Sequence, residues 1–300
     1  MILIITNSND LTTNEVVKWL ILLKKKFIRT NNNEIFKIKV KEKRIFLKGI
    51  QNEFYLDEIS SVWYRRGSIR FYKESYNNVA VNRYMTETYY WLADFILKTL
   101  ESKRHINKQS NSSVNKLWVL KIAKEVGLKV PSYFLSDNLN NVELGKTITK
   151  TLNEGGMILD YKDDMDALIY TTVVNKIKKT SFFPTFFQEK IKKDFDLRVF
   201  YLNKKIWSFA IISQNDKKTE VDFRRYNDER PNRIVKYELP KEVESKIRLI
   251  MRELDLNSGS LDFVRSNNEF YFLEINPIGQ FGNFSLFCNV NLEKEIAKYL

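Results

Sequence analysis

Among 300 residues there is one cysteine, Cys288, and one histidine, His105. A lone cysteine excludes a disulfide scaffold and fits a reducing compartment, the cytoplasm. A lone histidine, in Glu101-Ser102-Lys103-Arg104-His105, has no partner at ligand spacing and leaves no Ser–His or Cys–His constellation; an exposed helix end is its expected place. There is no Walker-type Gly-Lys-Ser/Thr segment and no GxGxxG, so any phosphate cradle must be of another kind. No uncharged run reaches the length that spans a bilayer. The opening Met1-Ile2-Leu3-Ile4-Ile5-Thr6 is too short for a signal or membrane helix and reads as a buried strand. The expectation is a soluble, cytoplasmic chain with no membrane partner.

What the chain does contain is 43% hydrophobic and 14% aromatic residues, the composition of a folded globular protein with ample core. Its net charge of +13 raises a nucleic-acid reading. The lysines are scattered, however, often beside Asn, and 37 acids accompany them. A solvated Lys/Asn-rich surface with a local groove for an anionic ligand fits this better than nucleic acid.

Residues 1–110 read as an α/β lobe: a strand at 1–6, a helix at 12–23 capped by Thr12 or Thr13, a hairpin at 34–47 and a strand at 61–64 closed by Arg65-Arg66. A long helix at 81–100 is aromatic-rich, and its Tyr and Trp positions are assigned to packing. The polar stretch 107–113 reads as a linker. A smaller lobe spans 111–187, with a helix from Asn115 to Val126, strands at 131–135, 147–150 and 157–160, and a turn at Gly155-Gly156. A third lobe spans 188–300, with strands at 197–201 and 206–213, a helix at 241–254 and a final helix from Leu292. No internal repeat or heptad run is visible.

The third lobe also holds the most informative stretch. Gly259-Ser260-Leu261-Asp262-Phe263-Val264 and Glu269-Phe270-Tyr271-Phe272-Leu273-Glu274-Ile275-Asn276-Pro277 flank the polar Arg265-Ser266-Asn267-Asn268 and read as a hairpin with a four-residue turn. Asp262 then comes roughly opposite Glu274, and Glu274 and Asn276 point to one face. Two carboxylates and an amide oxygen form a hard-oxygen set suited to Mg²⁺ carrying phosphates. Read alone, they are equally ordinary solvent-facing strand residues. Lys116, opening a helix, and Lys150, ending a strand, can each reach phosphates as point charges, or are surface lysines. Asp196 and Arg198 share one strand face, where a guanidinium fork can hold a transferring phosphoryl group or make a surface ion pair.

Asp262 with Glu274-Ile275-Asn276-Pro277, the tail Ile278-Gly279-Gln280-Phe281-Gly282, Cys288-Asn289 and Leu292-Glu293-Lys294-Glu295-Ile296-Ala297 together resemble ATP-grasp peptide maturases of the grasp-with-spasm type, relatives of the microviridin-type (graspetide) ligases. The resemblance covers nearly the whole chain and extends to Trp63-Tyr64-Arg65-Arg66-Gly67. It implies the α/β ATP-grasp fold, with an N-terminal lobe followed by two lobes that clasp ATP and Mg²⁺. It implies Asp262, Glu274 and Asn276 as metal ligands, Lys116 and Lys150 on the phosphates, and Gln188-Glu189-Lys190-Ile191 as the adenine hinge through the backbone of Glu189 and Ile191. It places Asp196 near ribose or substrate and Arg198 on the γ-phosphate. Ile212-Ser213-Gln214 and Thr219-Glu220-Val221-Asp222-Phe223-Arg224 resemble the maturases' S-Q and D-W-R segments, with Phe223 where Trp is usual; Arg224 can there hold a substrate carboxylate. The implied activity is ADP-forming ligation of Asp or Glu side chains of a ribosomally made precursor peptide to Ser, Thr or Lys side chains, with a radical-SAM/SPASM maturation partner. The competing readings are a ligase adding amino acids to a protein tail and a basic nucleic-acid-binding protein.

Overall fold

The structure is a computed structural model that describes residues 1–300 except 153–156, 163–164, 177–180, 215–218, 226–228 and 230; for 157–162, 165–166 and 168 it describes the backbone only. The turn expected at Gly155-Gly156 lies outside the described residues. Contacts divide the chain into two units, residues 1–112 with 280–300, and residues 113–279.

In the first unit the chain runs β1 (Ile2–Thr6), α1 (Leu11–Leu22), β2 (Phe27–Asn31), β3 (Ile35–Lys41), β4 (Arg44–Lys48), β5 (Glu53–Tyr55), β6 (Ser61–Tyr64), β7 (Arg70–Phe71), α2 (Val79–Glu101) and β8 (Arg104–Ile106). The parallel sheet β2-β1-β6-β8 has β1 at its centre, buried along its whole length. That is why the apolar opening of the chain does not alternate: both of its faces are covered. A second sheet, β5-β4-β3-β7, shares a core with it through Phe36, Leu47 and Phe54 beside Leu3, Ile5, Val62, Ile96 and Leu100. Its β3–β4 hairpin turns on Glu42-Lys43, both at positive φ, as a two-residue turn requires.

Three local expectations are corrected here. The cap of α1 is Asp10, whose side chain accepts from Thr13 N, and not Thr12 or Thr13. His105 lies on β8 and is half-buried, with Nδ1 2.8 Å from the Lys103 carbonyl, so it is no exposed helix end. Most aromatic residues of α2 are not packed: Tyr84, Tyr90, Trp91 and Phe95 are exposed, whereas Tyr89 is half-buried and donates to the Phe71 carbonyl at 2.7 Å, and Ile96 and Leu100 are the helix's buried residues.

The second unit contains α3 (Lys116–Glu125), β9 (Tyr133–Asn138), β10 (Thr147–Thr149), β11 (Met157–Lys162), β12 (Met165–Leu168), β13 (Thr172–Val173), β14 (Ser181–Glu189), β15 (Phe195–Leu202), β16 (Lys205–Ile212), β17 (Arg233–Tyr237), α4 (Lys241–Glu253), β18 (Ser258–Ser266) and β19 (Glu269–Asn276). A small antiparallel sheet, β13-β10-β14-β9, accompanies a larger one, β17-β16-β15-β18-β19. Gln188 and Glu189 end the central strand β14 of the small sheet. The helices α3 and α4 bury Val119, Leu120, Ile247 and Ile250 with Leu197, Val199, Leu261, Phe263 and Phe272 from one face of the large sheet. The opposite face carries the polar residues discussed below. The chain ends in α5 (Gly282–Cys288) and α6 (Leu292–Tyr299), which belong to the first unit, where α6 packs against α1. The sequence alone groups residues 280–300 with the third lobe, whereas their contacts are with the first unit.

The β18–β19 turn is Asn267-Asn268, both at positive φ, with Ser266 paired to Glu269. It is therefore a two-residue turn, and Arg265 and Ser266 are strand residues. Asn tolerates the left-handed region better than other non-glycine residues, so two in succession give the hairpin its reversal.

Candidate active site

Asp262 on β18 is paired with Arg198 on β15 on one side and Glu274 on β19 on the other. Directly opposed residues share a face, so the three form one row across the sheet, with Asn276 one step along. A β-bulge between Asp262 and Phe263 makes this row possible. Phe272 and Glu274 are two apart and would share a face in a regular strand. The extra residue, Leu273, lets Phe272 enter the core while Glu274 turns to the polar face, as bulges do where a side chain must be re-aimed.

Each acid of the row meets a cation. Arg198 Nε lies 3.0 Å from Asp262 Oδ1. Lys116, in the first turn of α3, lies 3.2 Å from Glu274 Oε2 and donates to the Thr151 carbonyl at 2.7 Å. Asn115 positions that turn, capping α3 through Trp118 N. Lys150 follows β10 directly, near the Phe186 ring. Burial, with help from the Lys116 charge, pushes its ammonium down to about 8 against the opposing pull of Glu274. Burial also drives the Asp262 carboxyl up, reinforced by Glu274 and opposed by Arg198. Glu274 goes the other way: burial raises it, but Lys150 and Lys116 outweigh burial and hold it well below the usual carboxylate range.

Two further acids bring their own cations. Asp196 is buried and receives both its oxygens' contacts from Lys193 Nζ at 2.7 Å, with Ser213 Oγ donating at 2.6 Å. The surface pair between Asp196 and Arg198 considered from sequence is thus replaced by two buried pairs with different partners. Asp222 accepts Arg224 Nε at 2.9 Å and Nη2 at 2.7 Å, and also Thr171 N at 3.1 Å. One edge of the Arg224 fork is therefore held by its own segment, and its other edge is what a substrate carboxylate can meet. Nothing in the sequence singles out Lys193, Ser213 or Asp222 as site residues. Ser213 and Asp222 stand inside the stretches that resemble the S-Q and D-W-R segments, so the sequence carries the signal without the partner.

Lys116, Lys150, Asp196, Arg224, Asp262, Glu274 and Asn276 line one cavity of about 160 Å³. A larger one of about 790 Å³ is lined by Gln188, Glu189, Ile191 and Lys193, and shares Lys150, Asp196, Val221 and Leu273 with the first. Its volume falls in the range of small-molecule sites. Gln188 is fully buried in its wall, and among the described residues neither polar atom of its amide has a hydrogen-bond partner. Such an orphaned amide costs free energy unless a ligand pairs with it. The Glu189 N–H already donates to Ser132 O at 2.8 Å, so the carbonyl is what Glu189 can still offer.

Asp262 and Glu274 are carboxylate oxygens on one face, and Asn276 adds an amide oxygen that also accepts from Ile278 N at 3.0 Å. No cluster of three or more acidic, His or Cys ligands occurs among the described residues. Two carboxylates suit Mg²⁺, which takes one or two protein carboxylates and completes its octahedron with phosphate and water. Three cations, Lys116, Lys150 and Arg198, against two acids of the row leave a local charge of +1, the other pairs being neutral. The donor set and the charge both fit a metal-bound polyphosphate.

No protein-family model and no curated protein matches the chain. Solved structures do. The chain is similar to the macrocyclase MdnC from Microcystis aeruginosa MRC, bound to its precursor peptide MdnA, at 23% identity and TM-score 0.76, over 100% of this chain and 99% of that one. It is similar to a RiPP-associated ATP-grasp ligase of Chryseobacterium gregarium in complex with ADP and a leader and core peptide, at 24% identity and TM-score 0.75, over 99% and 94%. It is also similar to the ATP-grasp ligase PsnB complexed with a phosphomimetic precursor variant, Mg and ADP, at 17% identity and TM-score 0.69, over 99% and 96%. The chain has the ATP-grasp fold. Among the described residues no helix is long and apolar enough to cross a membrane.

Proposed function

We propose that this protein is an ATP-grasp peptide maturase of the grasp-with-spasm type, acting in the cytoplasm on a ribosomally made precursor peptide. It activates Asp or Glu side chains of the peptide as acyl phosphates and joins them to Ser or Thr hydroxyls or Lys amines of the same peptide. A radical-SAM/SPASM enzyme is its partner in the maturation. The observation that carries this reading is that Asp262 and Glu274 line one cavity with Lys116, Lys150 and Arg224, with Arg198 paired to Asp262, beside a wall that holds a buried amide unpaired among the described residues.

The chemistry has two steps. A carboxylate oxygen of the peptide attacks the γ-phosphorus of ATP and ADP leaves. The hydroxyl or amine then attacks the acyl carbon and phosphate leaves, so each linkage removes one water from the peptide. The polyphosphate lies between Lys116 and Lys150, whose point charges need no fixed orientation. Arg198, held by Asp262, presents its guanidinium to the transferring phosphoryl group, where preorganised donors are worth most. Arg224, anchored by Asp222, orients the peptide carboxylate, and proximity of this kind replaces a bimolecular encounter. Gln188 and the backbone of Glu189 and Ile191 meet the adenine edge, and Asp196 stands near the ribose. Asp262, Glu274 and Asn276 would hold Mg²⁺, which would supply neutralisation of the phosphate charge. No side chain has to act as nucleophile, in keeping with the single His and the single Cys.

Co-expression with a small peptide encoded beside the gene, followed by mass analysis, tests the reading. Loss of one water per linkage, dependent on ATP, is expected. A peptide that gains the mass of an amino acid, or one that is unchanged while the protein binds DNA with a steep salt dependence, overturns it.

A further inference from the structure

The parallel ladder between β3 and β7 is short: Ile35 pairs with Arg70 and Phe36 with Phe71, and Tyr72 N donates to Phe36 O at 2.8 Å as its last bond. There the Tyr89 hydroxyl donates to the Phe71 carbonyl at 2.7 Å, and the chain leaves the sheet. β3 itself continues to Lys41, so its far half is an open edge. Its pairing with β4 decides which groups that edge presents. Lys41 faces Arg44 across the two-residue turn, and Lys39 faces Phe46. These are the hydrogen-bonded pairs of the hairpin, so the backbone groups of Ile38 and Val40 between them point outward. Phe36, next in the same alternation, does point outward, to Tyr72. Ile38 and Val40 therefore present their N–H and C=O groups without a partner among the described residues.

We propose that the far half of β3 is a docking edge for an extended, acidic segment of another protein, which adds as a strand beside Ile38 and Val40. In strand addition, main-chain hydrogen bonds give affinity and pockets for alternate side chains give specificity. The outward groups of Ile38 and Val40 serve the first. For the second, a cavity of about 310 Å³ lies beside the edge, lined by Lys37, Ile38 and Lys39 of β3, by Tyr72 and Tyr76, and by Leu92 of α2. The charge of the edge selects the occupant. Lys37, Lys39 and Lys41 are exposed and alternate along one face of β3. Lys37 Nζ stands 4.7 Å over the Tyr72 ring and Lys41 Nζ 3.8 Å over the Phe46 ring, and among the described residues none of the three lysines meets an acid. Such a row repels a second β3, because like charges directly opposite destabilise a strand pair. A strand with Glu or Asp at alternate positions instead brings an acid to each lysine. A nucleic-acid strand meets the lysines but has no alternating donors and acceptors at strand spacing to match the edge. None of these residues lines the cavities of the candidate active site, so the proposal stands independently of the function read there.

The test is fluorescence anisotropy on the full chain with three labelled probes: a short peptide alternating Glu with Val and Tyr, the same peptide with Lys for Glu, and an oligo-dT strand. The acidic peptide alone is expected to bind. Val40→Pro removes one outward N–H and no bond of the β3–β4 ladder, the place where an edge strand tolerates proline. It should keep the fold and every lysine, yet weaken the acidic peptide about tenfold or more. Lys39→Glu should weaken it about tenfold through charge. Circular-dichroism melting checks both folds. If Val40→Pro does not fold, hydrogen exchange on the wild type decides, since an added strand must slow exchange across residues 37–41. An acidic peptide that does not bind overturns the proposal. So does binding indifferent to Val40→Pro, or binding that leaves exchange there unchanged, either of which is charge attraction alone. Oligo-dT binding that is lost in Lys39→Glu and kept in Val40→Pro also overturns it and makes the edge a nucleic-acid face.

Discussion

Replacing Glu274 with Gln removes one charge from the centre of the candidate site and keeps its shape. In the free protein Glu274 lies 3.2 Å from Lys116 Nζ. At an effective dielectric near 20 that attraction is about 5 kcal/mol, but most of it offsets the desolvation of two largely buried groups. Gln can still accept from Lys116, so folding stability should change by no more than about 1 kcal/mol. Turnover should respond far more, because the carboxylate proposed to hold the metal on the phosphates is lost. A loss of about 4 kcal/mol at the transition state is about a thousandfold in rate. The same substitution has an opposite effect on ATP without metal. Glu274 repels the phosphates, yet it also helps to keep Lys150 charged, and Lys150 stands at about 8. Without Glu274 the ammonium is disfavoured and its value falls further. Below that value Lys150 is charged and metal-free ATP should bind the variant more tightly than wild type; above it the lysine is neutral and affinity should drop. Calorimetric titration of ATP with and without Mg²⁺ at about pH 6 and about pH 9, around the ordinary titration range of a depressed lysine, reads both limbs. Near-normal turnover of Glu274→Gln at saturating Mg²⁺ would refute the assignment.

Lys116→Ala and Lys150→Ala should each weaken ATP binding about tenfold or more, whereas Lys24→Ala, at a surface turn, should leave it unchanged; equal affinities would return all three to the solvated surface. Arg224→Lys should keep ATP affinity but lose most cross-linking, since the Asp222-held fork is replaced by a point charge. Arg198→Lys should instead slow phosphoryl transfer to any acceptor; peptide product at the wild-type rate in either variant contradicts its role. Gln188→Leu should raise the melting temperature of the free protein, by relieving an orphaned buried amide worth about 1–3 kcal/mol, and should weaken ATP binding. A lower melting temperature with unchanged affinity would show the amide to be structural.

Alternation and turn residues carry enough information to place the β18–β19 hairpin and to bring Asp262 opposite Glu274. They do not carry the bulge at Leu273, because an extra residue in a strand changes no residue type and leaves no compositional trace. Nor does sequence show that Arg198 faces Asp262. That contact depends on which strands of the large sheet are neighbours, and the two residues lie far apart in the chain. The misreading of α2 has a different cause. Apolar residues at helical spacing signal a face that wants covering, and the signal is the same whether the cover is the protein's own core or another helix. Capping at α1 was ambiguous for a local reason: Asp10, Thr12 and Thr13 are all competent caps, and the path by which β1 enters the helix chooses Asp10.

The polar face of the large sheet is arranged in pairs. Arg198 with Asp262, Lys116 with Glu274, Lys193 with Asp196 and Arg224 with Asp222 each join residues that would be costly to bury singly. Pairing fixes the direction of every guanidinium and ammonium before any ligand arrives, so little reorganisation remains for the transition state. It also keeps the empty cleft from accumulating charge that would destabilise the fold. Lys150 departs from the pattern: among the described residues it makes no direct ion-pair contact, Glu274 only partly offsets its burial through space, and its charge is disfavoured. A phosphate arriving there, as proposed, would supply the missing counter-charge and raise the ammonium back toward its ordinary value. On the proposed role of Lys150, part of the free energy of nucleotide binding would then be the release of an electrostatic penalty that folding left in place there.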